Sequence, residues 1–190
     1  MARRQKRPRQ KRFFVGCEGE SERGYATFLQ ILAKDIGLAI HLDAHPLGNA
    51  GDPLELVIQA VSAIAKGEKG GKPAYKDRFL ILDTDRFGQD QNKDTMMFKI
   101  AKESKLNLVK QECCIEAVLL RHINGKEANN PPTTTAALQQ LKKAWPDYNK
   151  ATSAQDLAKK FTLEDVRRAA AQPIQSDLNT FLLIIGLLDK

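Results

Sequence analysis

Short apolar segments alternate with longer amphipathic segments over the first 110 residues, and this alternation restricts the fold more than any other feature. The apolar runs at 13–15, 79–82 and 106–109 and the alternating segment at 40–45 have the length and pattern of β-strands. The segments between them have helical periodicity and helix-start residues, as in Asp52-Pro53, an N-cap followed by a proline. This strand–helix order predicts an α/β fold: a small parallel sheet flanked by helices.

After the fourth predicted strand, the pattern is helical to the end of the chain. Helices are predicted at about 114–123, 134–145, 154–160, 164–171 and 177–188, with Thr135, Ser153, Thr162 and Ser176 as N-caps of the last four. In the first half, Ser21 is predicted to cap the first helix, and the third helix is predicted over 96–105. The 190 residues then form one domain, with a basic disordered arm over 1–12, an α/β core over 13–125 and a helical C-terminal extension over 126–190 packed on the core.

Basic residues are concentrated at the N-terminus. Of the 30 Lys and Arg residues, seven lie within residues 1–12, which hold no acid, so the rest of the chain has 23 cations against 23 acids. A neutral body with a basic arm favours a polyanion such as nucleic acid as partner, although a solubilising tail would have the same composition. The predicted nucleic-acid-binding residues are Arg3, Arg4, Lys6, Arg7, Arg9, Lys11, Arg12 and, outside the arm, Arg86.

Cysteine usage and hydropathy favour a reducing, cytoplasmic location. Cys17, Cys113 and Cys114 form no Cys-x-x-Cys motif and are odd in number, and the adjacent pair is expected to pack in the interior. The longest apolar stretch covers eight residues at 181–188, whereas a membrane span needs about 20. We therefore expect a soluble protein without membrane association.

Acidic residues follow two of the predicted strands. Glu18 and Glu22 come after the first strand, and Asp83 and Asp85 come directly after the third. The carboxyl ends of parallel strands lie at one edge of a sheet, where α/β proteins bind their ligands, and carboxylate oxygens are the ligands that Mg²⁺ prefers. If the third strand continues through Thr84, Asp83 and Asp85 point to the same side. Each cluster could also be a simple turn or a set of solvated acids near a helix N-terminus.

These segments resemble a known metal-binding domain. Glu18-Gly19 after the first strand and Asp83-Thr84-Asp85 after the third are similar to the Toprim domain of topoisomerases, primases and OLD-family nucleases. The segment from Cys114 through Glu116 to His122 resembles one in RloB-like proteins, and Tyr148-Asn149-Lys150 is similar to the Tyr-x-Lys that follows in that family. The resemblance runs in order from about residue 13 to residue 170.

The resemblance implies a Toprim nuclease that depends on Mg²⁺ or Mn²⁺ and cleaves RNA, including tRNA, or DNA in prokaryotic defence against phages and mobile elements. The metal ligands that it implies are Glu18, Glu22, Asp83, Asp85 and Glu116, and the further catalytic residues are His122 and Lys150. OLD-type systems pair a Toprim nuclease with an ATPase, and this sequence contains no Gly-x-x-x-x-Gly-Lys-Ser/Thr motif, so the resemblance implies a separate ATPase or other defence subunit as partner.

Several of these residues also have simpler explanations. Glu116 could be a solvated residue on a helix face, and His122 could be a cation that caps the end of that helix. Arg86 could clamp a phosphate or pair with Asp85. His41 and His45 are expected to be ordinary residues of an edge strand. The alternative function is a non-catalytic nucleic-acid- or nucleotide-binding module whose acids hold a structural metal.

Overall fold

The computed structural model describes residues 10–48, 51–69 and 73–189, and it has the predicted α/β architecture. Four strands pair in parallel: β1 (Lys11–Cys17), β2 (Ile40–Pro46), β3 (Asp77–Asp83) and β4 (Leu106–Gln111). They lie side by side in the order β2, β1, β3, β4, so β2 is an edge strand, as expected for the segment with His41 and His45.

Eight helices lie in the described ranges: α1 (Glu20–Asp35), α2 (Pro53–Gly67), α3 (Gln91–Glu103), α4 (Ile115–His122), α5 (Thr134–Ala144), α6 (Ala154–Lys160), α7 (Leu163–Ala170) and α8 (Ser176–Ile185). Their positions match the predicted helices to within a few residues at most ends. None of the helices in these ranges is long and apolar enough for a membrane span.

The helices cover both faces of the sheet. Side chains alternate along a strand, so Phe13 and Val15 of β1 point to the face that carries α1 and the C-terminal helices. Phe14 points to the other face, which carries α2 and α3. The C-terminal helices therefore belong to the same hydrophobic core as the strands.

The order of the strands places a crevice between β1 and β3. From β1 the chain passes to β2 on one side, and it then crosses back to β3 on the other side of β1. At such a switch point, the loops that follow the two central strands diverge, and a ligand crevice opens at the carboxyl edge of the sheet. Glu18 directly follows β1 and Asp83 ends β3, so both acids lie at this crevice.

The start of α1 differs from the prediction. Gly19, rather than Ser21, is the N-cap residue, and the helix begins at Glu20. Glu22 replaces a side-chain cap, because its carboxylate accepts a 2.8 Å hydrogen bond from the backbone N–H of Gly19. The first turn therefore draws Glu22 back towards the end of β1.

Asp52, Ser153 and Thr162 cap their helices as predicted. The starts of α3, α5 and α8 differ from the predicted starts. α3 begins five residues early, at Gln91, because its polar first turn shows no apolar periodicity. Thr133 caps α5 instead of Thr135, and Ser176 is the first residue of α8 after a short 3₁₀ turn.

The predicted basic arm includes two residues, Lys11 and Arg12, that belong to β1 in the structure. Lys11 pairs with Ile40, and Arg12 is the second residue of β1. The Arg12 guanidinium donates hydrogen bonds to Asp43 Oδ2 at 2.5 Å and to the Tyr75 hydroxyl at 2.7 Å. Arg12 is therefore part of the folded sheet and its charge is already paired. Arg3, Arg4, Lys6, Arg7 and Arg9 lie outside the described residues.

We expect Arg12→Met to lower the free energy of unfolding by about 2 kcal/mol, because hydrogen bonds to charged groups contribute about 1.5–3 kcal/mol. Urea unfolding followed by circular dichroism measures this change. The matched control is Lys11→Met, whose exposed side chain predicts a change below about 0.5 kcal/mol. Equal effects of the two substitutions would show that the Arg12 contacts contribute nothing.

Candidate active site

A polar pocket of about 320 Å³ opens at the carboxyl edge of the sheet, beside the crevice between β1 and β3. Its lining comes from the end of β3 and the loops after β1 and β3, from Gly51 in the loop before α2, from the starts of three helices and from the segment before α6. The charged residues in the lining are Glu18, Glu20, Glu22, Asp83, Arg86, Glu116 and Lys150. Six of the predicted site residues are therefore brought together, namely Glu18, Glu22, Asp83, Arg86, Glu116 and Lys150.

Glu18 and Asp83 meet because β1 and β3 are neighbours in the sheet. The Glu18 carboxylate accepts a hydrogen bond from the backbone N–H of Asp83 at 3.3 Å. Oδ1 of Asp83 is buried and finds no hydrogen-bond partner among the described residues. A buried carboxylate oxygen without a partner is costly, and because Asp83 lines the pocket, a cation bound there could offset this cost.

Glu22 and Glu116 come from the first turns of α1 and α4. Their residues are only 5% and 2% exposed, so neither is a solvated surface acid. The Tyr148 hydroxyl donates to Glu116 Oε1 at 3.4 Å, and the Lys150 ammonium lies 3.9 Å from the same oxygen. The interpretation of Glu116 as a residue of an exposed helix face is therefore wrong.

The acids raise one another's pKa values. Burial raises the pKa of Asp83 to about 9, and the charges of Glu22 and Glu18 act in the same direction. Burial is also the main cause that raises the pKa values of Glu18 and Glu22. The pocket therefore holds more carboxylates than it can keep ionised without a cation.

The acids surround the pocket without forming a coordination shell. In the ranges 10–48, 51–69 and 73–189, no three His, Cys, Asp or Glu side chains are grouped as they would be around a metal ion. The donors that line the pocket are carboxylates, and hard divalent cations such as Mg²⁺ and Mn²⁺ prefer oxygen ligands. The residue types fit such an ion, and Asp83 Oδ1 is a ligand atom that nothing else occupies.

Three helices begin at this pocket. Glu20 is the first residue of α1, Ile115 of α4 and Thr134 of α5, and all three line the pocket. The first N–H groups of a helix have no intrahelical acceptor, and the helix dipole places partial positive charge there. These helix starts partly offset the charge of the acids and present N–H donors to an anion in the pocket.

Asp85 lies at the rim of the pocket and not beside Asp83. β3 ends at Asp83, so the condition that would put both carboxylates on the same side is not met. Asp85 falls in an exposed turn, where its Oδ2 accepts a 3.4 Å hydrogen bond from the hydroxyl of Thr134. Its charge still acts on the site, because it contributes to the raised pKa values of Asp83 and Glu18.

His122 is not in the pocket, which corrects its predicted catalytic role. The residue is 0% exposed, its Nε2 lies 2.9 Å from the Tyr25 hydroxyl, and its ring packs against Phe161. Burial lowers the pKa of His122 to about 3, so the imidazole is neutral near pH 7. The alternative role as a cationic helix cap is wrong for the same reason.

Arg86 and Thr134 complete the rim. The Arg86 guanidinium donates to the backbone carbonyl of Gly51 and forms no ion pair with Asp85 in the described structure. Thr134 was not identified from the sequence, because the Thr133-Thr134-Thr135 run allowed three helix starts. Tyr148 was noted only as part of a motif, and its contact with Glu116 depends on how the segment after α5 packs.

Of the adjacent cysteines, Cys114 packs in the interior as expected, whereas Cys113 is only half-buried. Cys114 is buried and is the N-cap residue of α4, which carries Glu116. Cys113 is half-buried, and its backbone carbonyl accepts a 3.1 Å hydrogen bond from the N–H of Thr84. These contacts connect α4 to the turn that follows β3.

Comparison of the chain with family models, with curated proteins and with solved structures finds no match. The similarity to Toprim and RloB-like proteins therefore rests on the sequence segments described above.

We expect Asp83→Asn to stabilise the metal-free protein. An acid whose pKa is raised on folding costs stability as the pH rises from its unfolded value near 4 towards its folded value near 9, and an amide avoids this cost. Thermal unfolding in EDTA should give a melting temperature higher by about 3–6 °C at pH 8, for a gain of about 1–2 kcal/mol, with a smaller gain at pH 5. The comparison variant is the exposed Asp85→Asn, which removes only one of the charges that raise the pKa of Asp83 and should give a smaller gain; a lower melting temperature for Asp83→Asn would contradict the expectation.

Proposed function

We propose that this chain is a metal-dependent nuclease of the Toprim type that hydrolyses phosphodiester bonds in RNA or DNA. The observation that carries the proposal is the convergence of four buried or half-buried acids, Glu18, Glu22, Asp83 and Glu116, on one pocket at the switch point of the sheet. The partnerless Asp83 oxygen and the raised pKa of Asp83 support a bound cation as the missing charge.

Glu18 and Asp83 are the ligands expected to hold the first ion, because they project from the ends of neighbouring strands. Glu22 and Glu116 approach from α1 and α4 and would complete an acidic shell. Mg²⁺ or Mn²⁺ bound there would stabilise charge on the attacking and leaving oxygens of a phosphodiester. The carboxylates thus fix the position of the reacting phosphate relative to the sheet.

Lys150 and the start of α5 are placed to bind the phosphate itself. The Lys150 side chain is 70% exposed and lines the pocket at its contact with Glu116, so the ammonium can turn towards a substrate anion. Thr134 lines the same pocket and is the first residue of α5, whose first N–H groups have no intrahelical acceptor and could donate to a phosphate. Donors that are already in place before substrate binds are effective stabilisers of developing negative charge.

A polyanionic substrate is consistent with the distribution of charge. The cations at residues 3–9 precede β1, and they would add salt-sensitive affinity that does not depend on sequence. A cytoplasmic role in prokaryotic defence, tRNA as a specific substrate and a separate ATPase subunit are parts of the proposal that rest on the family resemblance alone.

One observation favours the second candidate, a non-catalytic nucleic-acid- or nucleotide-binding module with a structural metal. The carboxylates of the described residues are not grouped into a ready coordination shell. Such a module would bind metal and polyanion but would show no turnover, so an activity assay separates the two functions.

The test is a cleavage assay on tRNA, single-stranded RNA, single-stranded DNA and plasmid DNA with Mg²⁺, Mn²⁺ or EDTA. We expect metal-dependent cleavage that falls at least about 100-fold in Glu18→Ala and in Asp83→Ala, because each removes an ion ligand. His122→Gln, in the core, and Glu103→Ala, at the exposed end of α3, are the controls and should retain cleavage per folded molecule.

The outcomes of this assay test the assignment of the active site. Cleavage that survives both Glu18→Ala and Asp83→Ala would place the active site elsewhere. If metal binding is intact and no polymer is cut, the chain is either an enzyme that requires its partner subunit or the binding module. A loss of cleavage in folded His122→Gln would restore a catalytic role for that residue.

A proline at position 134 tests the N–H donor of α5 without disturbing the helix. Proline is favoured at the first helical position, and Thr133 already has the extended backbone (φ −146°, ψ 157°) that a following proline requires. We expect Thr134→Pro to lower the cleavage rate by about 10–100-fold, as for the loss of one donor to a reacting phosphate, with little change in melting temperature. Thr134→Ala keeps the N–H and should stay within about threefold of wild type; equal losses in both variants would assign the effect to the hydroxyl.

A further inference from the structure

A second cavity lies between the edge strand β2 and helix α2, and the proposed nuclease chemistry does not use it. Its volume is about 560 Å³, larger than that of the acidic pocket and within the range of small-molecule sites. Asp43, His45 and Leu47 line one wall, and Gln59, Ser62 and Lys66 line the other. The two walls differ in chemistry.

On the β2 wall, His45 belongs to a cluster of three aromatic rings. The His45 ring stacks on Phe14 with centroids 5.5 Å apart and planes 23° apart, and Phe14 contacts the edge of Tyr75 at 5.5 Å. The His45 side chain is 41% exposed and lines the cavity. A flat heteroaromatic ligand could stack on the face of the His45 imidazole that does not contact Phe14.

Asp43 supplies a fixed acceptor beside that ring. Its Oδ2 accepts hydrogen bonds from Arg12 and from the Tyr75 hydroxyl at 2.6 Å, which hold the carboxylate in place and balance its charge. Its Oδ1 lies 3.5 Å from His45 Nε2, and both residues line the cavity. An N–H group on the edge of a stacked base could donate to this oxygen.

The α2 wall is suited to an anion. Gln59, Ser62 and Lys66 follow one another at spacings of three and four residues, so they share one face of the helix. They offer an amide, a hydroxyl and an ammonium to the cavity, and Lys66 forms no ion pair with any described residue. This face could hold a phosphate group opposite the aromatic wall.

We propose that this cavity binds a mononucleotide, with the base stacked on His45 and read by Asp43, and with the phosphate held by Lys66 and Ser62. The site differs from the acidic pocket because its lining has one carboxylate, Asp43, which is already paired with Arg12, together with Lys66 and an aromatic ring. It therefore requires no divalent metal, and it stands independently of the proposed nuclease activity.

The test is a titration of the full chain with AMP, GMP, CMP or UMP in EDTA, followed by backbone amide NMR shifts. At least one nucleotide should shift residues of β2 and α2 together. Lys66→Met should weaken its binding about tenfold or more, as expected for the loss of a charged hydrogen bond. His45→Ala should weaken binding of both the nucleotide and the matching nucleoside.

Two matched controls lie outside the cavity. Lys69→Met removes the next cation along the chain, and His41→Ala removes the other histidine of β2, and neither should change binding. The proposal would be overturned by absence of shifts at 10 mM nucleotide, by binding that neither Lys66→Met nor His45→Ala affects, or by shifts confined to the Glu18 pocket. Inorganic phosphate that binds as tightly as the nucleotides would also overturn it, because the base would then contribute nothing.

Discussion

Electrostatic repulsion among carboxylates is the constraint on which the candidate site depends. Glu18, Glu22, Asp83 and Glu116 are held at one pocket, where burial and mutual repulsion raise the pKa of Asp83 to about 9. A fold selected only for stability would separate these groups or pair each with a cation. The chain tolerates the cost because its hydrophobic core lies on both faces of the sheet, away from the carboxyl edge.

The parallel sheet brings the acids to one edge of the fold. All four strands end at the same edge, and the reversal of strand order between β1 and β3 leaves room between the two loops. The starts of α1, α4 and α5 then place N–H groups and partial positive charge around the acids. Negative side chains and positive helix starts therefore surround the same space, which suits a metal ion on one wall and a phosphate on another.

The C-terminal helices complete the site rather than merely enlarging the protein. Thr134 at the start of α5 and Lys150 between α5 and α6 line the pocket, and Tyr148 positions Glu116 through its hydroxyl. These contacts depend on the packing of the C-terminal segment against α1 and α4. The sequence pattern changes at about residue 125, but residues from both sides of this boundary line the pocket.

The sequence by itself determined the strand and helix order, the parallel sheet and the acids at the strand ends, because periodicity and helix-start residues act locally. Only the tertiary structure decided that Glu116 faces the pocket while His122, six residues later on the same helix, is buried in the core. Apolar residues surround both positions in the sequence, so local pattern cannot tell a site-facing side from a core-facing side. Likewise, the sequence pattern assigns Arg12 to a basic arm, and only its partners, Asp43 of β2 and Tyr75 just before β3, show that it is a structural residue of β1.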